Sequence, residues 1–288
     1  MRIATWNVNS VKQRMPRLLP WLDERAPDVV CLQETKLGDE VFAGLLDDEL
    51  AARGYEVAAF GQGGWNGVAI LSRVGLDDVV RGVAGAPDWD GVAEARALAA
   101  TCGGVRVHSL YVPNGRQPDS DHYRYKLEWL AALRDVVAAG PADAVVAGDM
   151  NIAPADEDVF DPGAYEGQTH VTPPERAALR ALLDLGLHDV VRERWPDSRV
   201  FTYWDYRAGM FHKDLGMRID LTLASGPVAG RVRAAWVDRQ ARKGTGPSDH
   251  APVIVDLDDA PDGDIGPMVP PPSAKPARRG SAKLPQAE

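Results

Sequence analysis

The sequence predicts a globular α/β or α+β fold with at least one β-sheet covered by helices. Short β-branched apolar runs recur along the chain, and leucines at helical spacing lie between several of them in roughly equal number. The 288 residues are 45% hydrophobic and 26% charged, which is typical of an ordinary folded chain. This composition excludes collagen-like, coiled-coil and mostly disordered proteins.

Eight apolar runs predict the strands, and four periodic segments predict the helices. The strands cover residues 3–8, 29–32, 68–71, 105–112, 144–147, 200–204, 218–223 and 253–257. The helices cover residues 12–25, 39–53 and 121–138, and a fourth follows Thr172. The fourth begins with Thr-Pro-Pro-Glu, a capping box with proline in the first turn, and ends at Gly186.

A proline-rich segment follows the last predicted strand. Seven of the 22 prolines lie beyond residue 259, where large apolar side chains are rare. Such a segment buries too little surface to offset the entropy of ordering it. We therefore expect one domain over residues 1–257 and a disordered tail over residues 258–288. The tail cations either solubilise it or contact DNA or a sliding clamp; they are Lys275, Arg278, Arg279 and Lys283.

The charge and hydropathy of the chain narrow its function class. Lys and Arg total 32 and Asp and Glu total 42, for a net charge of −10, which argues against bulk electrostatic binding to nucleic acid or membranes. A nuclease remains compatible, because a divalent-cation site itself needs carboxylates. No apolar run approaches a membrane span or signal core, so we expect a cytoplasmic protein without membrane contact. Cys31 and Cys102 are expected to be buried and without chemistry.

Polar side chains follow three predicted strands at the point where each strand ends. Asn7 and Asn9 follow the first strand, Glu34 follows the second, and Asp149 and Asn151 follow the fifth. Residues two apart on extended backbone point to the same side, and strand ends at one sheet edge border a crevice. Gly148 permits close backbone approach there. We therefore expect these groups to converge on one site.

A carboxylate and a histidine complete this constellation. Asp220 lies inside an alternating strand, where a buried carboxylate needs a partner. Asp249 and His250 stand at the head of the last strand. A contact to Asp220 would orient the His250 ring and raise its pKa, so that it stays cationic beside a phosphate.

Seven segments resemble the exonuclease III branch of the endonuclease/exonuclease/phosphatase superfamily, in family order. They are WNVNS (6–10), LQETK (32–36), YVPNG (111–115), GDMNIAP (148–154), FTYWDYR (201–207), RIDLTLAS (218–225) and SDHAPV (248–253). The resemblance implies a DNase I-like, four-layer α+β sandwich over residues 1–257, with two packed mixed β-sheets flanked by helices. It also implies Mg²⁺-dependent DNA repair: incision 5′ to abasic sites and removal of 3′ nucleotides or 3′ blocking groups.

The same resemblance assigns catalytic and metal roles. Mg²⁺, with Mn²⁺ as an alternative, would be held by Asn7, Glu34, Asp149, Asn151, Asp249 and His250. Tyr111 would touch the scissile phosphate, Asn151 would support the transition state, and Asp220 would orient His250. Asp149 would act on water, either as general base or by orienting it, since an ordinary Asp pKa of about 3.9 is poorly matched to a base. Asn9 stands where some relatives carry Asp, which leaves a second metal site open.

The resemblance further implies a surface for duplex DNA on a monomeric, nucleoid-associated protein. The expected DNA contacts are Asn9, Lys36, Trp65, Asn66, Asn114, Arg116, Tyr203, Trp204, Met217 and Ile219. Trp65 and Asn66 belong to a glycine-rich loop that would follow the DNA backbone, and the last four residues either wall an abasic-sugar pocket or belong to the core. The alternative function is hydrolysis of a non-DNA phosphate ester within the same superfamily.

Overall fold

A computed structural model describes residues 1–273 of the chain, and thirteen strands and seven helices lie within them. The strands are β1 Arg2–Asn7, β2 Val29–Gln33, β3 Glu56–Phe60, β4 Val68–Ser72, β5 Asp77–Arg81, β6 Ala97–Cys102, β7 Val105–Tyr111, β8 Ala144–Asp149, β9 Leu187–Asp189, β10 Asp220–Ser225, β11 Val232–Asp238, β12 Val253–Leu257 and β13 Met268–Val269. The helices are α1 Val11–Arg25, α2 Asp39–Ala51, α3 Asp121–Ala138, α4 Pro173–Leu183, α5 Val190–Arg194, α6 Met210–Lys213 and α7 Gly226–Ala229.

The strands form two mixed sheets that pack face to face. One sheet has the order β13-β11-β12-β1-β2-β4-β3 and the other has the order β5-β6-β7-β8-β10-β9. Parallel pairs (β1 with β2, β7 with β8) stand beside antiparallel ones (β1 with β12, β8 with β10). A core that includes Ile3, Val107 and Val145 lies between the sheets.

The outer faces of the sheets are covered by the longer helices. Leu18 of α1 and Leu46 of α2 belong to a second core on the seven-stranded sheet. Leu130 of α3 and Leu179 of α4 belong to a third core on the six-stranded sheet. The layers therefore run helices, sheet, sheet, helices, which confirms the predicted four-layer sandwich.

Helix α4 begins as its sequence predicts. The Thr172 side chain accepts a hydrogen bond from the Glu175 backbone N–H, and the Glu175 side chain accepts one from the Thr172 N–H. Such a cap contributes about 1 kcal/mol to helix stability. Pro173 occupies the first helical position, where its missing N–H costs nothing.

The structure differs from the sequence prediction at residues 200–204, at the end of the chain, and in six strands that were not predicted: β3, β5, β6, β9, β11 and β13. Residues 200–204 are not a strand; Tyr203 makes only isolated bridges to Met217 and His250. Beyond residue 257 the chain stays packed, because β13 pairs in parallel with β11 and Met268 is buried. Residues 258–269 are therefore not a disordered tail, contrary to the expectation. The tail cations Lys275, Arg278, Arg279 and Lys283 lie outside the described residues.

Two smaller expectations concern the thiols and the membrane. Cys31 and Cys102 are buried free thiols, as predicted. Over residues 1–273, none of the helices is both long enough and apolar enough to cross a bilayer.

Candidate active site

The strand ends that carry polar side chains meet at one edge of the sandwich. Asn7 pairs in register with Gln33, directly before Glu34, and Asp149 pairs with Asp220. One ligand atom from each of Glu34, Asp149 and His250 lies within 4.8 Å of the others. The convergence expected from the sequence is therefore confirmed.

Gly148 allows β8 to reach this edge. Its φ is +148°, and a Cβ at this position would lie 1.9 Å from the carbonyl oxygen of Leu110 on the neighbouring strand β7. Any side chain would therefore push the two strands apart. The close backbone approach expected here is confirmed, and it places Asp149 directly at the sheet edge.

The amide of Asn7 connects the two sheets. Its Nδ2 donates to Glu34 Oε1 at 2.8 Å and to Asp149 Oδ2 at 3.0 Å. Its Oδ1 accepts the backbone N–H of Asn9 at 3.0 Å. Asn7 is fully buried, so these bonds are shielded from water. To offer its oxygen to a cation between the carboxylates, the amide has to turn over.

Glu34 is ionised because the Lys36 ammonium lies beside it. Burial raises its pKa, but the Lys36 ammonium, 2.8 Å from Oε2, and the hydrogen bonds from Lys36 and Asn7 outweigh burial, so the pKa lies below its ordinary value. Lys36 also donates to Asn9 Oδ1, and Asn9 Nδ2 donates to Asp249 Oδ1 at 3.1 Å. Asn9 thereby links Asp249 to Lys36.

Asp149 behaves differently from an ordinary aspartate. Burial raises its pKa to about 7; the positive charge of His250 lowers it, while the charges of Asp220 and Glu34 raise it. An Asp pKa near neutrality suits a group that accepts a proton at physiological pH. The sequence alone gives the ordinary value, because burial and neighbouring charge belong to the fold.

His250 is held between two carboxylates. Its Nδ1–H donates to Asp220 Oδ2 at 2.8 Å, and its Nε2 lies 3.8 Å from Asp149 Oδ2. Burial lowers the His250 pKa, but the charges of Asp220 and Asp149 outweigh burial and raise it to about 10. The ring packs on Tyr203, with 4.9 Å between ring centroids. The contact expected between Asp220 and His250 is confirmed.

The chemistry of this donor set fits a hard divalent cation. Glu34 and Asp149 offer carboxylate oxygens within a few ångströms of each other, and Asn7 offers an amide oxygen once it turns over. Oxygen ligands of this type are the ones that Mg²⁺ and similar ions prefer. Two neighbouring carboxylates also repel each other, and a cation between them relieves this repulsion.

Comparison with known proteins agrees with this geometry. The sequence profile described as the Endonuclease/Exonuclease/phosphatase family matches residues 4–250. The chain belongs to this family. Exodeoxyribonuclease III of Haemophilus influenzae is 30% identical over 270 residues, covering 88% of this chain and 98% of that protein.

Two solved structures of the family superpose closely on this chain. The 3′ phosphatase NExo from Neisseria, bound to product DNA hairpin, has a TM-score of 0.85 and 38% identity and covers 90% of this chain and 100% of that chain. An AP endonuclease from Archaeoglobus fulgidus has a TM-score of 0.84 and 36% identity, with the same coverage. The chain is thus a phosphodiester-hydrolysing nuclease of the exonuclease III branch, with the predicted DNase I-like fold.

The residues expected to meet DNA divide into exposed and buried groups. Trp65 is 76% exposed, and Asn114 and Arg116 are also at the surface. Arg116 lies over the Trp89 ring, 5.5 Å from its centroid. Tyr203 is half-buried beside His250. Trp65, Asn114 and Arg116 therefore lie at the surface, and their contact with DNA stays a prediction.

Four other residues expected to contact DNA are buried in the structure. Trp204 is fully buried, and Met217 and Ile219 are only 5% and 3% exposed, so these residues belong to the core between the sheets. Asn66 is buried as well, and its amide nitrogen donates to Gln62 and Glu94 at 3.0 Å each. These four side chains present little surface to solvent, and for Trp204, Met217 and Ile219 this favours the expected alternative of a place in the core.

Sequence reasoning missed a group of buried polar residues behind the site. Lys126 and Glu175 are fully buried and paired, and His170 bonds to the Asn151 carbonyl. A signal existed for Lys126, which precedes Leu130 by four residues and so lies in the apolar stripe of its helix. A charged residue in that stripe indicates burial with a partner.

Proposed function

We propose that this chain is a DNA-repair nuclease that depends on a divalent cation, Mg²⁺ with Mn²⁺ as the alternative. Its substrate is duplex DNA, which it incises 5′ to abasic sites and from which it removes 3′ nucleotides or 3′ blocking groups. It acts as a cytoplasmic, nucleoid-associated monomer. The observation that carries this proposal is the convergence of Glu34, Asp149 and His250 within 4.8 Å.

The cation would be held by Glu34, Asp149 and Asn7, with Asp249 and Asn151 as further candidate ligands. When bound, it neutralises negative charge that develops on the phosphate and the leaving oxygen. We assign His250 to the substrate phosphate and not to the cation. A ring protonated on both nitrogens has no lone pair left for a metal.

The protein residues then share the work of hydrolysis. Asp149, which lies between Glu34 and His250 at the sheet edge, orients the attacking water and accepts its proton. His250 stays cationic through Asp220 and donates from Nε2 to a phosphate oxygen. Tyr111 and Asn151 donate to the same phosphate. A preorganised donor of this kind contributes about 3 to 4 kcal/mol to transition-state stabilisation.

Tyr111 is suited to donation because it stays protonated. Burial and the nearby Glu34 charge raise its pKa well above its ordinary value. Arg96 lies over its ring, 4.9 Å from the centroid, which fixes the ring orientation. The hydroxyl therefore keeps its proton throughout the working pH range.

The test compares three duplex substrates: one with an internal abasic analogue, one with an unmodified recessed 3′ end, and one with a 3′ phosphate. Rates are measured with Mg²⁺, with Mn²⁺ and with EDTA, and an inositol phosphate serves as the non-DNA ester. We expect cation-dependent cleavage of DNA and none of the inositol phosphate. Asp258→Asn, at an exposed carboxylate paired with Arg231, is the matched control. EDTA-resistant cleavage, or preference for the inositol phosphate, would contradict the proposal.

A further inference from the structure

A buried ion pair lies directly behind the active site and has no part in the chemistry proposed above. Lys126 on α3 and Glu175 on α4 form a hydrogen-bonded salt bridge, and both side chains are 0% exposed. Burying two charges is costly unless further hydrogen bonds satisfy them. The question is therefore which groups these charges hold in place.

Lys126 is bonded to the backbone of two residues at the site. Its Nζ donates to the Asn151 carbonyl at 2.7 Å and to the Asn114 carbonyl at 3.2 Å. The Asn151 carbonyl also receives Nδ1 of His170 at 2.6 Å. Two donors on one carbonyl determine the direction of that peptide group.

Asn151 has an uncommon backbone conformation. Its φ is +50°, in the left-handed region, which asparagine enters more readily than other residues with a Cβ when local hydrogen bonds favour it. Such a conformation persists only when the surroundings hold it. Here the holding groups are the two donors on its carbonyl and the bond from its own Nδ2 to Val112 O at 2.9 Å.

The conformation of Asn151 in turn positions Asp149. The Asn151 N–H donates to Asp149 Oδ1 at 2.9 Å, and the Asn151 side-chain oxygen accepts from Asn114 Nδ2 at 3.3 Å. The φ and ψ of Asn151 set the orientation of this N–H relative to the carbonyl held by Lys126, so a change in these angles would remove the bond that orients the Asp149 carboxylate. An unbroken series of bonds therefore runs from Lys126 through Asn151 to Asp149.

Glu175 fixes the other end of this series. Its Oε1 accepts from Thr169 Oγ1 at 2.7 Å and from the His170 N–H at 3.0 Å, in addition to Lys126. Its Oε2 accepts the Thr172 N–H at 3.1 Å. Glu175 thus ties the start of α4 to α3 and leaves the Lys126 ammonium a single position.

We propose that the Lys126–Glu175 pair is a positioning device for the nuclease site, which keeps Asn151 in its left-handed conformation and Asp149 in its working orientation. This inference rests on the proposed function, because it assigns the pair a part in turnover. The pair touches neither substrate nor cation.

The test removes both charges at once in the double variant Lys126→Met with Glu175→Gln, so that neither charge is left buried alone. Its matched control is Arg2→Met with Asp256→Asn, which removes another buried ion pair (2.7 Å) at the far end of β1. For each protein, kcat and KM on abasic duplex DNA, the melting temperature and a crystal structure are determined. Glu175→Gln alone is the milder second variant.

We expect the Lys126/Glu175 variant to fold and to lose about 10- to 100-fold in kcat, with KM within about twofold, because misplacement of a reacting group by an ångström has that cost. Its crystal structure is expected to show Asn151 out of the left-handed region. The control is expected to lose melting temperature but not kcat. Glu175→Gln should lie in between.

A folded variant with the kcat of the control, or with Asn151 unchanged at positive φ, would overturn the inference. The crystallographic result does not depend on the substrate. If the unmodified protein cleaves none of the DNA substrates, the proposed function fails, whereas the position of Asn151 in the variant still decides the positioning role.

Discussion

His250 and Asp220 form a buried pair in which the Nδ1 nitrogen lies 2.8 Å from Oδ2 of the carboxylate. The other carboxylate oxygen, Oδ1, is buried and has no hydrogen-bond partner within residues 1–273. The Asp220 charge is therefore directed almost entirely at one ring nitrogen. Because no other hydrogen bond to the Asp220 side chain offsets this interaction in the described residues, the Asp220 charge sets the protonation state of His250.

Asp220→Asn is predicted to move the alkaline limit of activity toward neutral pH. The His250 pKa stands near 10 because the Asp220 and Asp149 charges outweigh burial. The Asp220 charge has the larger effect of the two. Without it the His250 pKa falls, and the ring therefore loses its proton at a lower pH. We expect turnover at pH 8 to fall by about 10²- to 10⁴-fold.

The measurements are a pH–rate profile and the ¹⁵N chemical shifts of the His250 ring. Asp258→Asn, an exposed aspartate paired with Arg231, serves as the control. An unchanged alkaline limit in Asp220→Asn would show that the charge of His250 does not limit the reaction.

Asp149→Asn is predicted to reduce turnover strongly and yet stabilise the protein at pH 8. The folded-state pKa of Asp149 is raised from 3.8 to about 7, so the native state binds more protons than the unfolded state between these values. Native stability therefore falls as pH rises from about 4 to about 7, and this loss is complete above pH 7. The neutral amide avoids it.

Thermal unfolding in EDTA tests whether Asp149→Asn stabilises or destabilises the protein at pH 8. The melting temperature of Asp149→Asn should exceed that of the unmodified protein at pH 8, and the difference should vanish near pH 4. Turnover should fall by about 10²- to 10⁴-fold while DNA binding is retained. Lower stability of the variant at pH 8 would contradict the raised pKa of Asp149. Nearly normal turnover would contradict its role in activating water.

Glu34→Gln is predicted to weaken cation binding more than DNA binding. Glu34 is ionised through Lys36 and contributes a full negative charge to the donor set. Loss of a ligand charge raises the cation concentration needed for half-maximal activity. Residues that only support a metal ligand change metal affinity by about 10- to 100-fold, and we expect an effect at least as large here. Electron paramagnetic resonance of Mn²⁺ measures this affinity without turnover. Equal Mn²⁺ affinity in both proteins would exclude Glu34 as a ligand.

Much of this site was predictable because its residues follow strand ends. Asn7, Glu34 and Asp149 each come directly after an apolar β-branched run, and the geometry of a sheet brings such ends together. What the pattern lacks is the environment. The pKa of Asp149 near 7 depends on burial and on three charges from distant segments.

The fold was predictable where the local pattern and the final structure agree. The β6 strand reads ALAATC and has few β-branched residues. The β5 strand reads DDVVR, and all of its residues are exposed. In both cases pairing within the sheet, and not the local sequence, decides the conformation. Residues 200–204 have the apolar pattern of a strand but sit between sheets. Long-range packing of this kind has no local signal.

Trp65 and Trp204 are predicted to respond in opposite ways to replacement by alanine. Trp65 is 76% exposed on the loop after Gly61, and Trp204 is fully buried with its Nε1 bonded to Asp214 at 3.2 Å. Trp65→Ala should leave the melting temperature unchanged and weaken duplex binding, because the loop that carries this ring is expected to follow the DNA backbone. Trp204→Ala should cost about 3 to 5 kcal/mol of folding free energy. Titration of abasic duplex DNA and chemical denaturation separate the two effects, and a Trp65→Ala protein that binds DNA normally would show that this loop does not contact the substrate.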